Sequence, residues 1–211
     1  MNDFQFLEQE KSVLRWGGLA GMLGGTLFIL AWVVVLAGPV GMEDPATLEE
    51  WVTRFPDIKT ARVVENIIYL VALILEVPLF LALYRALRRT GLAPALFGSV
   101  LGIIGITIFM VGALPHAAHA QLSDLYHAPG ATPADQATLA LLWQAIWGMV
   151  DATTYLGFLV APLGPALLGV GMLRSPVFGK SFGGASVALG AVGLVAAVLQ
   201  MVDPASIEGY L

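Results

Sequence analysis

Residues 63–84 read VVENIIYLVALILEVPLFLALY, an apolar run bounded by Arg62 and Arg85. A helix of this length measures about 33 Å, enough to cross a hydrocarbon core of about 30 Å. Glu65 and Glu76 are the only charged residues within the run. The stretch therefore predicts a membrane-spanning helix with one carboxyl group near its end and another near its middle.

The composition of the whole chain agrees with a lipid environment. Of its 211 residues, 58% are hydrophobic and 12% are charged, against about 45–50% and about 25% in soluble domains. So few charges do not cover the surface of a soluble protein of this length. We therefore predict an all-α, polytopic transmembrane helical bundle that forms a single integral membrane domain, residues 1–211.

The lack of cysteine and the scattered distribution of Lys and Arg argue against two classes of function. It has no cysteine, so thiolate metal sites and cysteine nucleophiles are absent. Its net charge is −5, and its Lys and Arg residues form no basic block, so nucleic acid is not an expected partner.

Four further segments have the length and apolarity of a span. The third one begins inside a stretch, residues 90–123, that has no Asp, Glu, Lys or Arg, and it should leave the membrane near Pro115. The five predicted spans are 16–39, 63–84, 93–115, 152–173 and 182–202. An outer helical extension over 133–150 precedes the fourth span.

The fourth segment needs that extension because residues 134–173 would form a helix of about 60 Å, longer than a bilayer with its head groups. Thr132, Pro133 and Asp135 form a helix start signal. Pro162 and Pro165 indicate a kink further on.

A short amphipathic helix is predicted at residues 45–55, in the first outer loop. Asp44 can cap it, Pro45 suits its first position and Pro56 should end it. Such a helix lies in the head-group layer or forms a lid packed on the bundle. Its apolar positions, spaced i, i+3, i+4 and i+7, are Leu48, Trp51, Val52 and Phe55.

The basic residues predict the orientation of the chain in a cell membrane. Seven of the ten Lys and Arg residues fall on the side of the amino terminus, which the positive-inside rule places in the cytoplasm. With five spans, the carboxyl terminus then lies outside. The three basic residues of the outer side are Arg54, Lys59 and Arg62.

Small residues recur at helical spacing in three of the spans, which favours close helix packing in lipid. The first stripe also suggests a homodimer or a larger membrane complex. The stripes are Gly17, Gly21 and Gly25; Gly98, Gly102 and Gly105; and Ser186, Gly190 and Gly193.

Two segments carry a resemblance to a known family. Residues 15–21 read RWGGLAG, and Glu76 and Pro78 lead into ALYRALR at residues 82–88. With these segments the chain resembles an uncharacterised bacterial family of multi-pass membrane proteins, known as a domain of unknown function. The resemblance implies a membrane protein and no particular activity. Members often have more than five predicted spans, which leaves six as the alternative count.

Glu76 is the most costly residue of the predicted bundle, since an ionisable group at the centre of a span costs about 2.5–3.5 kcal/mol or more. It either donates or accepts a structural hydrogen bond, with Thr107, Thr154 or Tyr155 as partner, or it carries a proton or binds a ligand.

A second set of polar residues shares one depth at the outer ends of the spans. Helix rise brings Glu65, His116, His119 and Asp151 within a turn or two of one level, next to Asn66. Two imidazoles and two carboxylates suffice for zinc or a similar divalent metal, which can activate water to hydrolyse a lipid or amide bond. The alternatives are a polar ligand pocket and simple interfacial structure. Two loop residues that can join the set are Asp124 and His127.

Aromatic residues surround that level, as in the aromatic belt of a membrane protein. They also suit a stacking pocket for a lipid, a quinone or an isoprenoid. The residues are Tyr126, Trp143, Trp147 and Tyr155.

Three classes of function follow from these residues. The chain is a binding or accessory membrane protein, an intramembrane metal-dependent hydrolase with a site at the outer face, or a proton-coupled small transporter that uses Glu76. We favour the first, without enzymatic activity, because no strong catalytic motif is present and no internal repeat of the transporter type is evident.

Overall fold

A computed structural model of the chain describes residues 3–37 and 48–202, and within these ranges it is helical, with no strand. The predicted end of the first span at Pro39 lies outside them. The helices are α1 (Asp3–Ala37), α2 (Leu48–Leu87), α3 (Leu92–Ala113), α4 (Pro115–Tyr126), α5 (Pro133–Val160), α6 (Leu163–Leu173) and α7 (Lys180–Val202).

Five helical stretches of the described chain are long and apolar enough to cross a membrane. This confirms the predicted all-α bundle and its count of five membrane-capable segments. Each of the third and fourth stretches consists of two helices that follow one another almost without interruption. The stretches are Glu8–Ala37, Glu50–Leu87, Leu92–Tyr126, Pro133–Leu173 and Lys180–Val202.

The helices run back and forth between two ends of the bundle. In the order of packing, α1 lies on α2, α3 contacts α2, α5 and α6, and α7 covers α5 and α6. We call one end the arginine end, after Arg85, Arg88 and Arg89. We call the other the aromatic end, after Trp51, Trp143 and Trp147.

The helices α3 and α6 approach each other closely where they cross. A Cβ atom on Gly164 would lie 2.6 Å from the Cα atom of Gly102, so the two backbones touch where neither residue has a side chain. Phe80 and Leu168 are buried beside this crossing. The small-residue stripe of the third span therefore serves packing inside the bundle, as small residues do between helices in lipid.

The glycine stripe of α1 is also used within the chain. A Cβ on Gly17 would collide with Ala82 and one on Gly21 with Leu79, both on α2, whereas one on Gly25 would meet nothing within 4 Å. A homodimer stays a prediction, and it would have to use a face of α1 other than the one that Gly17 and Gly21 occupy.

The first outer helix does not end at Pro56. The described part of the predicted helix is continuous with the second span, and both Pro56 and Pro78 lie inside α2; Asp44 and Pro45 lie outside the described residues. An internal proline costs about 3 kcal/mol. Burial of an apolar side chain contributes about 1.5–3 kcal/mol, and Val52, Phe55 and Ile58 are all buried, so tertiary packing outweighs the local signal.

The third segment continues as a helix past its expected end near Pro115, and the fourth segment is one helix from its outer extension into the predicted span. The helix breaks only briefly at Leu114, and α4 starts at once with Pro115. The chain passes Asp151 without a break, because α5 continues to Val160. The predicted kink is confirmed at Pro162, between α5 and α6.

The predicted start of α5 is confirmed in atomic detail. The Thr132 hydroxyl accepts a bond from the Asp135 backbone N–H at 3.2 Å, and the Asp135 carboxylate accepts one from the Thr132 backbone N–H at 3.0 Å. This reciprocal pair is a capping box, with Pro133 at the first helical position.

Candidate functional site

The aromatic end has its own small core, between the outer turns of α2 and the helices α4 and α5. Val52, Phe55 and Ile58 of α2 pack with Trp143 of α5, and all four are buried. The rings of Phe55 and Trp143 meet edge to face at a centroid distance of 4.9 Å, a favoured arrangement. This core holds the outer turns of α2 against α4 and α5.

The helix α4 brings the two histidines into this core. The ring of His119 lies 4.4 Å from that of Trp143 and 5.4 Å from that of Trp147. His116 lies 5.7 Å from both His119 and Trp147. His119 is 1% exposed, and its Nε2 atom is buried without a hydrogen-bond partner among the described residues. A buried polar atom of this kind is costly unless a ligand or water satisfies it.

The helix α2 contributes a balanced pair of charges to the same place. Arg62 lies 3.7 Å from the Glu65 carboxylate, one turn further along the helix. Its guanidinium also lies over the Trp51 ring, 5.8 Å from the centroid, within the range of a cation–π contact. The positive charge of Arg62 therefore faces both a carboxylate and an aromatic ring.

Asn66 connects α2 to the break between α3 and α4. The Ala117 N–H bonds to the Leu114 carbonyl at 3.1 Å, so the Ala113 carbonyl is left without the partner that a regular helix would give it. The Asn66 side-chain amide donates to that carbonyl at 3.3 Å. Asn66 thus fixes the direction in which α4 leaves α3.

These side chains enclose a cavity of about 280 Å³. Its aliphatic rim includes Val63 and Ile67, which are 39% and 56% exposed on the outer surface of α2. The cavity therefore opens beside the apolar surface of the bundle. Its polar and aromatic lining consists of Trp51, Phe55, Arg62, Glu65, Asn66, His116, His119 and Trp147.

The four residues predicted to hold a metal do not come together as one set. Glu65, His116 and His119 line the cavity, but α5 presents Trp147 to it and not Asp151. Across residues 3–37 and 48–202, no three His, Asp or Glu side chains form a group that could hold a metal ion. Trp147 and Asp151 are four residues apart and share one face of α5, so the cavity meets this helix one turn away from Asp151.

The two loop residues that were expected to join the set have other partners. Asp124 pairs with Lys59 of α2 at 2.6 Å. The Nδ1 atom of His127 lies 2.8 Å from the Ser123 carbonyl of its own helix. Both residues therefore fix α4 and its end in place.

Glu76 lies further along α2, beyond the part of the helix that lines the cavity. A Cβ on Gly24 of α1 would come within 2.9 Å of the Glu76 Oε1 atom, so this carboxyl group packs against α1. The expected partner Thr107 instead donates to the Ile103 carbonyl of its own helix at 2.8 Å. Leu73 and Phe80, one turn before and one turn after Glu76, fill the core positions next to it.

Sequence reasoning missed Trp51, Phe55 and Arg62 as members of the site. Trp51 and Phe55 belong to the predicted helix 45–55, which Pro56 should end, and Arg62 bounds the predicted second span as a flanking charge. In one continuous helix, Phe55 follows Trp51 by four residues, Arg62 follows Phe55 by seven, and Asn66 follows Arg62 by four. These spacings place all four residues on one face of the helix. That spacing was the available signal.

A larger, open groove of about 600 Å³ runs along α1, between Glu8 and Leu19. All of its lining residues belong to that one helix, so no second element encloses a ligand there. The cavity at the aromatic end, with several elements and a buried unpaired nitrogen, is the better candidate site.

Comparison with known proteins gives a family and no relative of known activity. No curated protein and no solved structure matches the chain. Residues 23–209 match the family described as "Domain of unknown function (DUF4386)". Because the match covers most of the chain and agrees with the resemblance of its first two spans, the protein belongs to this family of unknown function.

Proposed function

We propose that the protein is a membrane-embedded binding or accessory protein, whose cavity at the aromatic end takes the head group of an uncharged amphipathic molecule of the quinone class. The observation that carries the proposal is the buried, unpaired Nε2 atom of His119 in the wall of an aromatic cavity. A quinol hydroxyl would donate to Nε2 as an acceptor, and in the tautomer that carries its proton on Nε2 the imidazole would donate to a quinone carbonyl oxygen.

The charge of the cavity favours an uncharged head group. Arg62 and Glu65 oppose each other at 3.7 Å, so their charges largely cancel for a ligand between the helices. A phosphate would be attracted by the guanidinium and repelled by the carboxylate at nearly the same distance. A quinone ring carries no net charge and avoids this conflict.

The shape of the cavity favours a flat head group with an apolar tail. Its volume of about 280 Å³ is at the lower limit of ligand pockets, which measure about 300–1,000 Å³. It therefore suits a ring and not a whole lipid. The rings of Trp51 and Trp147, 5.3 Å apart, offer surfaces for stacking, and an isoprenoid tail can follow the exposed side chains of Val63 and Ile67.

The proposal is tested by titrating the purified chain, in phosphatidylcholine nanodiscs, with decylubiquinone while tryptophan fluorescence is measured. We expect saturable quenching, because Trp51 and Trp147 line the cavity. His119→Leu should weaken binding about tenfold, the equivalent of one hydrogen bond of about 1.4 kcal/mol.

Controls come from the tryptophans outside the site. Trp16 and Trp32 are 69% and 47% exposed on α1, so Trp16→Phe and Trp32→Phe should leave the saturable component unchanged. Trp51→Phe together with Trp147→Phe should abolish most of it. Quenching that rises linearly with quinone, and equally in all variants, would mean partition into lipid only and would disprove the proposal.

The other two functions have less support. A metal-dependent hydrolase needs at least three protein ligands, and among the described residues no three His, Asp or Glu side chains form a group that could hold a metal ion. A proton-coupled transporter needs a path to Glu76, which packs against Gly24 of α1 and does not line the cavity.

We further propose that the amino terminus is cytoplasmic and that the aromatic end, with the carboxyl terminus, lies outside. The bias of Lys and Arg supports this orientation. Tags fused before Met1 and after Leu211 in intact cells test it. Only the tag after Leu211 should be accessible to an impermeant antibody, and labelling of both tags to the same extent would reject the orientation.

A further inference from the structure

Three arginines at the end of α2 converge on one carboxylate of α1. The terminal nitrogens of Arg85, Arg88 and Arg89 lie 2.8, 3.0 and 3.7 Å from the same oxygen, Oε1 of Glu10. The Glu10 side chain is only 18% exposed. We call these four residues the arginine cluster. It joins the first two helices of the bundle at the end opposite to the cavity.

The cluster has more positive charge and more donors than Glu10 can satisfy. Among these four residues, three guanidinium groups share one carboxylate, so positive charge exceeds negative charge. Each guanidinium has five N–H donors in a fixed plane. The Nε atom of Arg88 is buried without a partner among the described residues, and the side chain of Arg89 is 70% exposed. Both arginines can therefore bind a further anion.

The surface next to the cluster is apolar. Ile74 and Leu81 are 56% and 52% exposed, seven residues apart on one face of α2. Arg88 follows Leu81 by another seven residues, directly after the helix, and its backbone N–H still bonds to the Tyr84 carbonyl, so it continues that face. Arg85 follows Leu81 by one turn. A molecule that lies along this face meets first two arginines and then an exposed apolar stripe, beside the groove where α1 and α2 pack.

We propose that the arginine cluster binds the phosphate of an anionic phospholipid, with an acyl chain along Ile74 and Leu81. A guanidinium suits this role because it binds phosphate through two parallel hydrogen bonds, and basic pockets between spans recognise anionic head groups. The surplus charge selects anionic over zwitterionic lipids. This site is independent of the cavity at the aromatic end, which has balanced charges and takes an uncharged ligand.

Native mass spectrometry of the detergent-solubilised chain, with phosphatidylglycerol and phosphatidylcholine of equal acyl chains, measures the preference. We expect phosphatidylglycerol to bind several-fold more tightly. Arg89→Gln should lower this preference about fivefold, the effect typical of one basic residue at an anionic membrane surface. Arg89 is the variant of choice because its contact with Glu10 is the longest of the three, so the junction of α1 and α2 should survive.

A second variant separates lipid binding from a purely structural contact. Glu10→Gln removes the competing carboxylate and frees donors of all three arginines, so it should raise the preference for phosphatidylglycerol by up to about fivefold. A cluster that only joins two helices would lose stability in this variant and gain no lipid. Equal binding of the two lipids, or a loss of preference in Glu10→Gln, would overturn the proposal.

Two further measurements test whether the ligand is a lipid or a free phosphate, and whether the preference for phosphatidylglycerol arises at the arginine cluster. Inorganic phosphate at millimolar concentration should not displace phosphatidylglycerol, because it lacks the acyl chain that Ile74 and Leu81 contact; displacement would indicate a free anion as the ligand. Arg54→Gln, which removes a charge near the aromatic end, should leave the preference unchanged. An equal loss in Arg54→Gln would show that net charge alone is responsible.

Discussion

Gly164→Ala should destabilise the protein by about 3 kcal/mol, the upper end of the usual cost of overpacking. The added methyl group would lie 2.6 Å from the Cα and 2.8 Å from the backbone nitrogen of Gly102. These are backbone atoms, so no rotation of a side chain can relieve the contact. The helices α3 and α6 must separate, which also disturbs the packing of Phe80. Thermal unfolding in detergent, followed by circular dichroism, measures the loss.

The matched control is the same substitution at Gly25, where a Cβ atom would meet nothing within 4 Å. Alanine is favoured over glycine in a helix by about 1 kcal/mol. Gly25→Ala should therefore be neutral or stabilising, so one chemical change has opposite signs at two positions. Equal midpoints for the two variants would show that the crossing of α3 and α6 is looser than the structure has it.

Trp143→Ala should have the largest effect at the aromatic end. This side chain is 2% exposed, and its ring packs on both Phe55 and His119. Truncation of a buried tryptophan costs about 3–5 kcal/mol. The lost ring supports the wall of the cavity, so we expect saturable quenching by decylubiquinone to disappear as well. Circular dichroism and the quinone titration of the same sample report the two effects.

The corresponding control is Trp16→Ala, at a tryptophan that is 69% exposed on α1. An exposed substitution of this kind changes stability by about 0.5 kcal/mol or less. Quinone titration should then resemble that of the unaltered chain. If Trp143→Ala retained full stability and binding, the small core that holds α2 against α4 and α5 would not be the element that forms the cavity.

The two ends of the bundle have different electrostatics, and this difference separates the two proposals. At the aromatic end, Arg62 is balanced by Glu65. At the arginine end, Glu10 balances only part of the charge around it. A failure of quinone binding would therefore leave the phospholipid proposal intact, and the reverse also holds. Neither site uses Glu76, which packs between α1 and α2 near the middle of the chain's second span.

Much of the architecture was predictable from local sequence. Long apolar runs such as residues 63–84 must be helical in lipid, because a helix satisfies its backbone hydrogen bonds within the segment. Two local features were also predictable, the capping box at Thr132 and Asp135 and the helix break at Pro162, because each depends on a few neighbouring residues. The five membrane-capable helices follow from length and composition alone.

The candidate site was only partly predictable. Helix rise gave the common depth of Glu65, His116 and His119, and all three line one cavity. It could not give the exact level at which α5 meets the histidines, which is that of Trp147, one turn before Asp151, nor the packing of Glu76 against α1.

In this protein the sequence by itself determined that five apolar stretches are helical and long enough to cross a membrane, and it placed Glu65, His116 and His119 at one level. These properties depend on hydrogen bonding within a segment and on the transfer of side chains from water to lipid. The tertiary structure alone decided that α2 continues through Pro56, that Arg62 and Trp51 belong to the cavity, and that three arginines share Glu10. Each of these depends on contacts between residues on different helices, whose relative rotation is set by packing and not by the order of residues within one helix.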